Sequence, residues 1–411
     1  LGLSARGFEV VAKFGLYALG AHALGVTDAG VFFLCLSLLH LLSTAARLGT
    51  ERPLSRYVAS YVATGEHHLA GGVARSGLRV AALASVTAGV LLWIAAPHAA
   101  EVAFHDPSLV TPLRLLACIL PGHVLAYACG NILIGLDRSA SAQFLTNAAA
   151  PAVVFVAMLL GVKDLGWVLA IYGGAYWACF CVAAVLARTV LRDAPLPEAS
   201  GPARPQLPPL LSEARAFYVV ELALAAFLAM PVLVLARFAQ PEQVTEFSVA
   251  NRLSMLVATL VLSMATMIAP RLAAHHRLGE VEGLRRTMRQ VTWASLAVCL
   301  PAIAAMALLR EPLLGLMGVR SPAAEAALLW MLAAQLLVAA LPARDTLLAM
   351  SGRGHALRNL SLAQAGAGAA TCFLLIPQYG VLGAAWSTAI AWIVGVAGCS
   401  LVARASLRPT G

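Results

Sequence analysis

Apolar residues occur along this chain in long blocks that are separated by short polar connections. Each block is about 20 residues long, which is the length of a helix that crosses the hydrocarbon core of a bilayer. A membrane β-barrel would instead show short segments of alternating hydrophobicity. The pattern predicts twelve membrane-spanning helices, at residues 7–25, 29–48, 77–96, 113–134, 142–162, 166–187, 214–236, 245–269, 291–309, 324–349, 359–377 and 381–403.

The overall composition supports a membrane protein. The chain has 411 residues, of which 61% are hydrophobic and only 11% are charged, whereas a soluble domain is about half apolar and about a quarter charged. The predicted fold class is therefore all-α, a polytopic membrane protein.

The formal net charge of +9 does not indicate a nucleic-acid partner, because the arginines lie in short connections between apolar blocks. With the amino terminus placed in the cytoplasm, basic residues favour the inner side by roughly four to one, which predicts cytoplasmic termini. Only Lys13 and Lys163 are lysines. Such a preference for Arg, with a high Ala content, is typical of a GC-rich bacterial genome, and the predicted location is the bacterial inner membrane.

The two halves of the chain repeat each other. Gly65-Glu66 ends a basic connection in the first half, and Gly279-Glu280 ends a similar one in the second half. Six spans per half is an even number, so the copies share one orientation, and such pairs enclose a cavity and rock around it. The predicted domains are a six-helix bundle at 1–190, a cytoplasmic Pro-rich linker at 191–212 and a second six-helix bundle at 213–411.

The basic segment, residues 47–66, lies between the second and third predicted spans and carries Arg47, Arg52 and Arg56. Arginine forks match phosphate oxygens bidentately, so these side chains could bind a phosphate at the inner mouth. The alternative is that they anchor the connection on the inner side and attract anionic lipid.

Ionisable residues inside the spans are costly and usually face a cavity or a partner. Arg252 lies about two turns inside the eighth span. It is either a cation in the cavity that binds an anionic substrate or an arginine whose side chain extends to the outer interface. Arg344 and Asp345 lie near the end of the tenth span and serve either transport or structural ion pairs. Glu9 and Lys13 share one face of the first span. They either pair with each other or line the cavity.

Signatures of enzymes, cofactors and metals are missing from the sequence. It contains no Gly-rich phosphate loop, and its eight cysteines form no C-x-x-C pair and are interpreted as small buried hydrophobes. The pairs His67-His68 and His275-His276 are predicted to be solvated loop residues. Other polar residues within spans are predicted to form interhelical hydrogen bonds, namely His40, His123, Asn131, Gln143, Asn147, Gln335 and Gln364.

Three motifs resemble those of a known family. They are Arg56-Tyr57-Val58-Ala59, Gly135-Leu136-Asp137-Arg138 and Ile-Pro-Gln-Tyr-Gly-Val-Leu-Gly-Ala-Ala at 376–385. The chain resembles the polysaccharide-biosynthesis flippases of the multidrug/oligosaccharidyl-lipid/polysaccharide exporter superfamily. Lipid II flippases of that superfamily usually carry two further spans, which makes a peptidoglycan precursor a less favoured substrate.

The resemblance implies two six-helix bundles in a V around a central cationic cavity. It implies alternating access that moves an undecaprenyl-pyrophosphate-linked oligosaccharide across the bilayer, driven by Na⁺, H⁺ or the membrane potential, with other polysaccharide-assembly proteins as partners. The positions that fit the cavity are Arg47, Arg52, Arg56 and Arg252, joined by Lys13 and Arg344. Glu9 and Asp345 are candidates for coupling.

Other classes of protein fit the sequence less well. A multidrug exporter of the same superfamily would need acidic cavity residues, for which Asp28 and Glu221 are candidates. A major-facilitator transporter would need a Gly-rich acidic and basic connection that residues 47–66 do not supply. A membrane glycosyltransferase or ligase would need a large outer loop, and the longest, at 97–112, offers few potential catalytic groups, among them Glu101, His105 and Asp106.

Overall fold

The computed structural model describes residues 2–192, 207–277, 280–342, 347–348 and 354–406, and all regular structure among them is helical. The first eight helices are α1 Gly2–Leu24, α2 Val26–Ala46, α3 Glu51–Ala63, α4 His67–His98, α5 Val110–Gly135, α6 Ser139–Gln143, α7 Ala149–Leu159 and α8 Leu165–Arg192. The others are α9 Leu207–Phe238, α10 Pro241–Arg277, α11 Val281–Leu308, α12 Arg310–Leu316, α13 Pro322–Ala340, α14 Gly354–Tyr379 and α15 Val381–Ser406.

Short irregular helical segments lie between some of these helices. A π-helical turn at Ala99–Ala103 extends α4, and a 3₁₀ turn at Pro107–Leu109 precedes α5. A second π-helical turn at Phe144–Ala148 joins α6 to α7. The predicted fifth span, 142–162, is therefore one helical path made of three consecutive pieces.

Eleven helices of the described part are long and apolar enough to cross a membrane. They correspond to the second to twelfth predicted spans. The predicted first span lies in α1, a 23-residue helix that is not among the eleven and whose side chains at 2–11 lie outside the described part. The prediction of an all-α, multi-pass membrane protein is confirmed.

The tenth span is shorter than the sequence pattern predicted. It was expected at 324–349, but α13 ends at Ala340 and Leu341 has left the helical conformation. Pro342 follows, and a proline disfavours the helical conformation of the residue before it. The predicted end at 349 was therefore wrong.

Two compact units make up the chain, Leu1–Ala225 and Ala226–Gly411, with the division inside α9. In the first unit α5 is the central helix and packs against α8, α4, α3 and α2. Buried leucines such as Leu116 and Leu120 lie along it, as expected of a helix that other helices surround. The domain bounds predicted from sequence stay a prediction.

In the second unit, α15 packs against α14 and α13, and α10 packs against α13 and α11. Small residues permit the close approach of α14 and α15. A Cβ on Gly395 would lie 2.4 Å from Gln364 Oε1, and one on Gly398 would lie 2.5 Å from a Leu360 methyl group.

The basic segment was treated as a connection but contains a helix, α3. Its apolar residues Leu54 and Val58 are four apart and buried, whereas Arg52 and Arg56 are exposed. Residues four apart share one face of a helix, so α3 is amphipathic and directs its arginines away from the core of its unit.

Candidate functional site

Arg47 is held at the end of α2 by several contacts. Its Nη2 donates to Thr44 Oγ1 at 2.7 Å, its Nε donates to the Ser43 carbonyl at 3.3 Å, and its Nη1 forms an ion pair with Glu51. The guanidinium carbon lies 4.7 Å from the centroid of the Tyr127 ring, within the range of a cation–π interaction. Since its side chain is only 11% exposed, Arg47 is a fixed, half-buried cation.

Arg52 and Arg56 lie on the exposed face of α3. Arg52 Nη2 lies 2.8 Å from Glu221 Oε1 of α9, within the first unit, in an ion pair whose arginine side chain is 64% exposed. The Arg56 guanidinium carbon lies 5.1 Å from the ring of its neighbour Tyr57. One solvent-facing helix surface thus presents two arginines, and Arg47 precedes that helix.

A cluster of polar and aromatic side chains lies beside Arg47 inside the first unit, and we call it the His123 cluster: Ser43, His123, Tyr127, Tyr172 and Tyr176. His123 Nδ1 lies 2.8 Å from Ser43 Oγ. Its ring centroid is 4.8 Å from that of Tyr127 and 4.4 Å from that of Tyr176, and Tyr172 packs edge-on against Tyr176 at 5.0 Å. The cluster joins α2, α5 and α8.

The hydroxyl of Tyr127 extends this network to the π-helical turn. It donates to Asn147 Oδ1 at 2.8 Å, and Asn147 Nδ2 donates to Thr146 Oγ1 at 2.8 Å. The prediction of interhelical hydrogen bonds is confirmed for His123 and Asn147. It is wrong for Asn131, whose Nδ2 donates to the Tyr127 carbonyl of its own helix at 2.9 Å.

Lys13 lies half-buried in α1 and close enough to His123 to act on it electrostatically, as do Arg47 and His40. Arg47 contacts the cluster through Ser43 and Tyr127, whereas a cavity role for Lys13 stays a prediction. The Glu9 side chain lies outside the described residues, as do Arg344 and Asp345, so their predicted roles stay predictions.

Arg252 lies in the second unit, half-buried in α10. Two residues further on, Ser254 Oγ donates to the Asn251 carbonyl at 2.9 Å and lies 4.0 Å from the Met331 sulfur of α13. The face of α10 that carries Ser254 therefore packs against α13, and Arg252 lies on a different face, because residues two apart do not share a side of a helix. A cavity role for Arg252 stays a prediction.

The structure corrects two predictions about cysteine and histidine. Cys118 and Cys181 are exposed and not buried. Exposure of an apolar side chain carries no cost where lipid surrounds it. His67 and His68 are half-buried in the first turn of α4, and His275 pairs with Glu280 at 2.8 Å, so these are not solvated loop residues. No group of three or more His, Cys, Asp or Glu that could hold a metal occurs among the described residues.

The fold, an all-helical multi-pass membrane architecture, is similar to that of several solved membrane proteins. One is the inward-facing structure of a multidrug resistance MATE family transporter of the MOP superfamily, with a TM-score of 0.76, 17% identity and coverage of 98% of this chain and 96% of that chain. Another is the lipid II flippase MurJ in an inward closed conformation, with a TM-score of 0.72, 13% identity and coverage of 98% and 87%.

A third neighbour is a MOP superfamily transporter from Pyrococcus furiosus, with a TM-score of 0.64, 18% identity and coverage of 99% and 93%. At these identities the similarity shows the fold alone. The family is shown by the sequence: the chain belongs to the polysaccharide biosynthesis protein family, whose model matches residues 3–276. The MatE family model matches residues 219–374, and no curated protein matches significantly. The resemblance seen in the sequence is confirmed.

Proposed function

We propose that this protein is an alternating-access flippase that moves a polyprenyl-pyrophosphate-linked oligosaccharide to the outer leaflet of the bacterial inner membrane. The product would serve cell-surface polysaccharide assembly, such as that of lipopolysaccharide. The observation that carries the proposal is the match to the polysaccharide biosynthesis family over residues 3–276. That range includes the whole basic segment and the His123 cluster.

The arginines of the basic segment support an anionic head group as the substrate. Arg47 is already ordered by Thr44 and Tyr127, so little side-chain entropy is lost when it binds an anion. Arg52 and Arg56 are exposed and accessible from water. Arginine binds carboxylate and phosphate with the same fork geometry, so a diphosphate can take the places that Glu51 and Glu221 occupy beside Arg47 and Arg52.

A second candidate function is multidrug export. It is favoured by the MatE match at residues 219–374 and by the multidrug transporter among the structural neighbours. An exporter of cationic drugs would need available carboxylates in its binding site. Glu221 forms an ion pair with Arg52, and Asp28 is exposed in the first turn of α2. These two carboxylates therefore support multidrug export less well than the arginines of the basic segment support the flippase function.

The remaining roles belong to the same proposal. Arg252 and Arg344 would add to the cationic surface, and Glu9 and Asp345 would couple transport to an inward movement of Na⁺ or H⁺. Both termini would lie in the cytoplasm, and other polysaccharide-assembly proteins would be partners. No catalytic step is needed, because flipping changes the leaflet of the substrate without changing its bonds.

The test is the accumulation of lipid-linked glycan in a bacterial strain that lacks its own flippase. We expect the wild-type chain to clear the glycan from the inner leaflet, and Arg56→Ala and Arg252→Ala each to slow clearance about tenfold or more, because a lost charge-assisted hydrogen bond costs about 1.5–3 kcal/mol. The matched control is Arg79→Ala, which should leave clearance unchanged. Arg79 is an exposed arginine of α4 on the predicted inner side, where arginines anchor the chain.

Each outcome has a definite meaning when membrane insertion of the variants is equal. Full activity of Arg56→Ala or of Arg252→Ala would remove that residue from the site. A wild-type chain that restores drug resistance but leaves the glycan in the inner leaflet would replace the flippase proposal with the multidrug exporter.

A further inference from the structure

His123 is a buried titratable side chain that the proposed transport path does not yet use. It lies in the middle of α5, the central helix of the first unit, and is 6% exposed. A histidine at such a position is expensive to keep unless it is hydrogen-bonded, and its unperturbed titration lies near physiological pH. Its contacts therefore indicate what a proton on its ring would affect.

His123 and Arg47 contact the same groups. The Tyr127 ring centroid is 4.8 Å from the His123 ring centroid and 4.7 Å from the Arg47 guanidinium carbon. Ser43 connects them a second time, since its hydroxyl bonds to His123 Nδ1 at 2.8 Å and its carbonyl accepts from Arg47 Nε at 3.3 Å. The buried ring thus lies one side chain away from the cation proposed to bind the diphosphate.

The hydrogen bond to Ser43 is compatible with both charge states of the ring. A serine hydroxyl is a donor and an acceptor, so Ser43 Oγ can donate to an unprotonated Nδ1 or accept from a protonated one. The flanking rings of Tyr127 and Tyr176 also favour a cation between them. The site can therefore hold His123 as a neutral imidazole or as an imidazolium without repacking.

Two cations act on His123 electrostatically from neighbouring helices, Arg47 of α2 and Lys13 of α1. His40 of α2 also acts on it when that histidine is protonated. The titratable side chains in ring contact with it are Tyr127 of α5 and Tyr176 of α8, followed by Tyr172. Because like charges repel and burial disfavours a charge, an anion bound at Arg47 would offset part of the cost of a proton on this ring.

The other helices packed on α5 carry their charges at other levels. Helix α3 approaches α5 at Gly135, twelve residues from His123 or about 18 Å along the helix. Helix α4 approaches α5 where Gly89 meets Ala117 and Pro121, and the charged residues of α4 nearest in sequence to Gly89 are His98 and Arg79, about 13 and 15 Å from Gly89 along that helix. The π-helical turn contributes the neutral Asn147 through Tyr127.

We propose that His123 is a proton-binding site linked to anion binding at Arg47. A diphosphate beside Arg47 brings negative charge close to the ring and offsets the repulsion from Arg47 and Lys13, so a proton from water then binds the imidazole. By reciprocity, a proton on His123 strengthens diphosphate binding by the same factor. The proton partly compensates the head-group charge in the low-dielectric interior. This inference rests on the proposed function, of which it describes the regulation.

The experiment uses the full chain in phosphatidylcholine nanodiscs with inorganic pyrophosphate as the probe. Calorimetric titration in two buffers of different ionisation enthalpy measures the protons taken up per pyrophosphate bound. We expect wild type to take up more protons than His123→Gln, and its affinity to rise on the order of tenfold more than that of the variant between pH 8 and pH 6. Protonation of pyrophosphate itself is common to both proteins and cancels in the difference.

Two further variants keep the result interpretable. Ser43→Ala retains the ring but removes the hydroxyl, whose hydrogen bond is stronger to the imidazolium than to the neutral ring, so it should also take up fewer protons than wild type. His98→Gln changes an exposed histidine at the far end of α4 and should behave as wild type. A melting curve of each nanodisc sample shows whether the variant is folded. If His123→Gln is not folded, the proton uptake of Ser43→Ala decides whether His123 binds the proton.

Opposing results separate this proposal from the proposed function. If wild type, His123→Gln and Ser43→Ala all take up the same number of protons, the proton site at His123 is overturned and the proposed flippase function is unaffected. The same conclusion follows if proton uptake is lost only in His40→Gln. A chain that clears lipid-linked glycan in cells but binds no pyrophosphate would overturn the anion site at Arg47 and the linkage with it.

Discussion

Gly49 determines how closely the basic segment can approach the start of the seventh span. It follows Arg47 and Leu48 in a turn where Leu48 has φ 53° and Gly49 has φ 68°, values that a glycine adopts more readily than any other residue. A Cβ on Gly49 would lie 2.5 Å from the Ala214 carbonyl and 2.8 Å from the Tyr218 Cβ. Both the backbone conformation and the space therefore require glycine.

We expect Gly49→Ala to destabilise the protein by more than the backbone cost alone. A non-glycine residue in the left-handed region costs about 1–2 kcal/mol, and the Ala214 backbone must also move. The control is Gly65→Ala, at φ 77° with nothing within 4 Å of the added Cβ, which should show the backbone cost only. Thermal unfolding in detergent measures both, and equal losses for the two variants would contradict the close approach.

The sequence supplied the residues of the candidate site but not their neighbours. Arg47, Arg52 and Arg56 were found because charges are conspicuous between apolar blocks. The His123 cluster was missed because Ser43, His123 and Tyr176 lie on three helices, and no spacing along the chain relates them. A buried polar residue on an otherwise apolar span was the available signal, and it indicates a hydrogen bond without identifying the partner.

At the scale of elements, α3 is the helix that positions the candidate site. It packs against α5 and α4 through Leu54 and Val58. The closest approach is at Gly135, where a Cβ would lie 2.7 Å from the Ser55 carbonyl and 2.8 Å from the Val58 Cβ. Since part of this contact is backbone, α3 itself would have to shift to accommodate a side chain.

We expect Gly135→Ala to loosen α3 from α5, which hydrogen–deuterium exchange should show as faster exchange of the α3 amides. The expected loss of stability is about 1–3 kcal/mol, as for other overpacked contacts. Gly71→Ala is the matched control, because it lies in α4 with open space around an added Cβ and alanine favours a helix by up to about 1 kcal/mol. Unchanged exchange of α3 in Gly135→Ala would show that the packing is looser than the distances indicate.

Helices were predictable where hydrophobicity alone defines them, and less so where polar residues interrupt it. The long apolar spans were placed correctly as elements, because a 20-residue apolar run has few alternatives in a bilayer. Helix α3 was not, since its charged face obscured the pair Leu54 and Val58. The end of α13 was placed too far along, because the apolar run continues past Pro342 and local proline geometry decides the boundary.

On the scale of the whole molecule, the exposed surface of the described part shows why the chain needs a membrane. Large apolar side chains such as Leu160, Leu308 and Leu316 are more than two-thirds exposed, and water would make such a surface prone to association. In lipid the same surface is stable, and it accommodates the exposed Cys118 and Cys181. Orientation then depends on the connections, where the basic residues lie.

The predicted orientation places the end of α3 in the cytoplasm and the connection before α8 outside, because arginine and lysine are retained on the inner side. In a cysteine-free variant, a cysteine introduced by Ala63→Cys should resist a membrane-impermeant maleimide in intact spheroplasts and react after lysis. Lys163→Cys should react in both preparations. Both positions are exposed, so each cysteine is accessible to the reagent on its own side and serves as the labelling control for the other. Reaction of Ala63→Cys in intact spheroplasts would invert the topology and place the arginines of the basic segment on the wrong side to receive a substrate made in the cytoplasm.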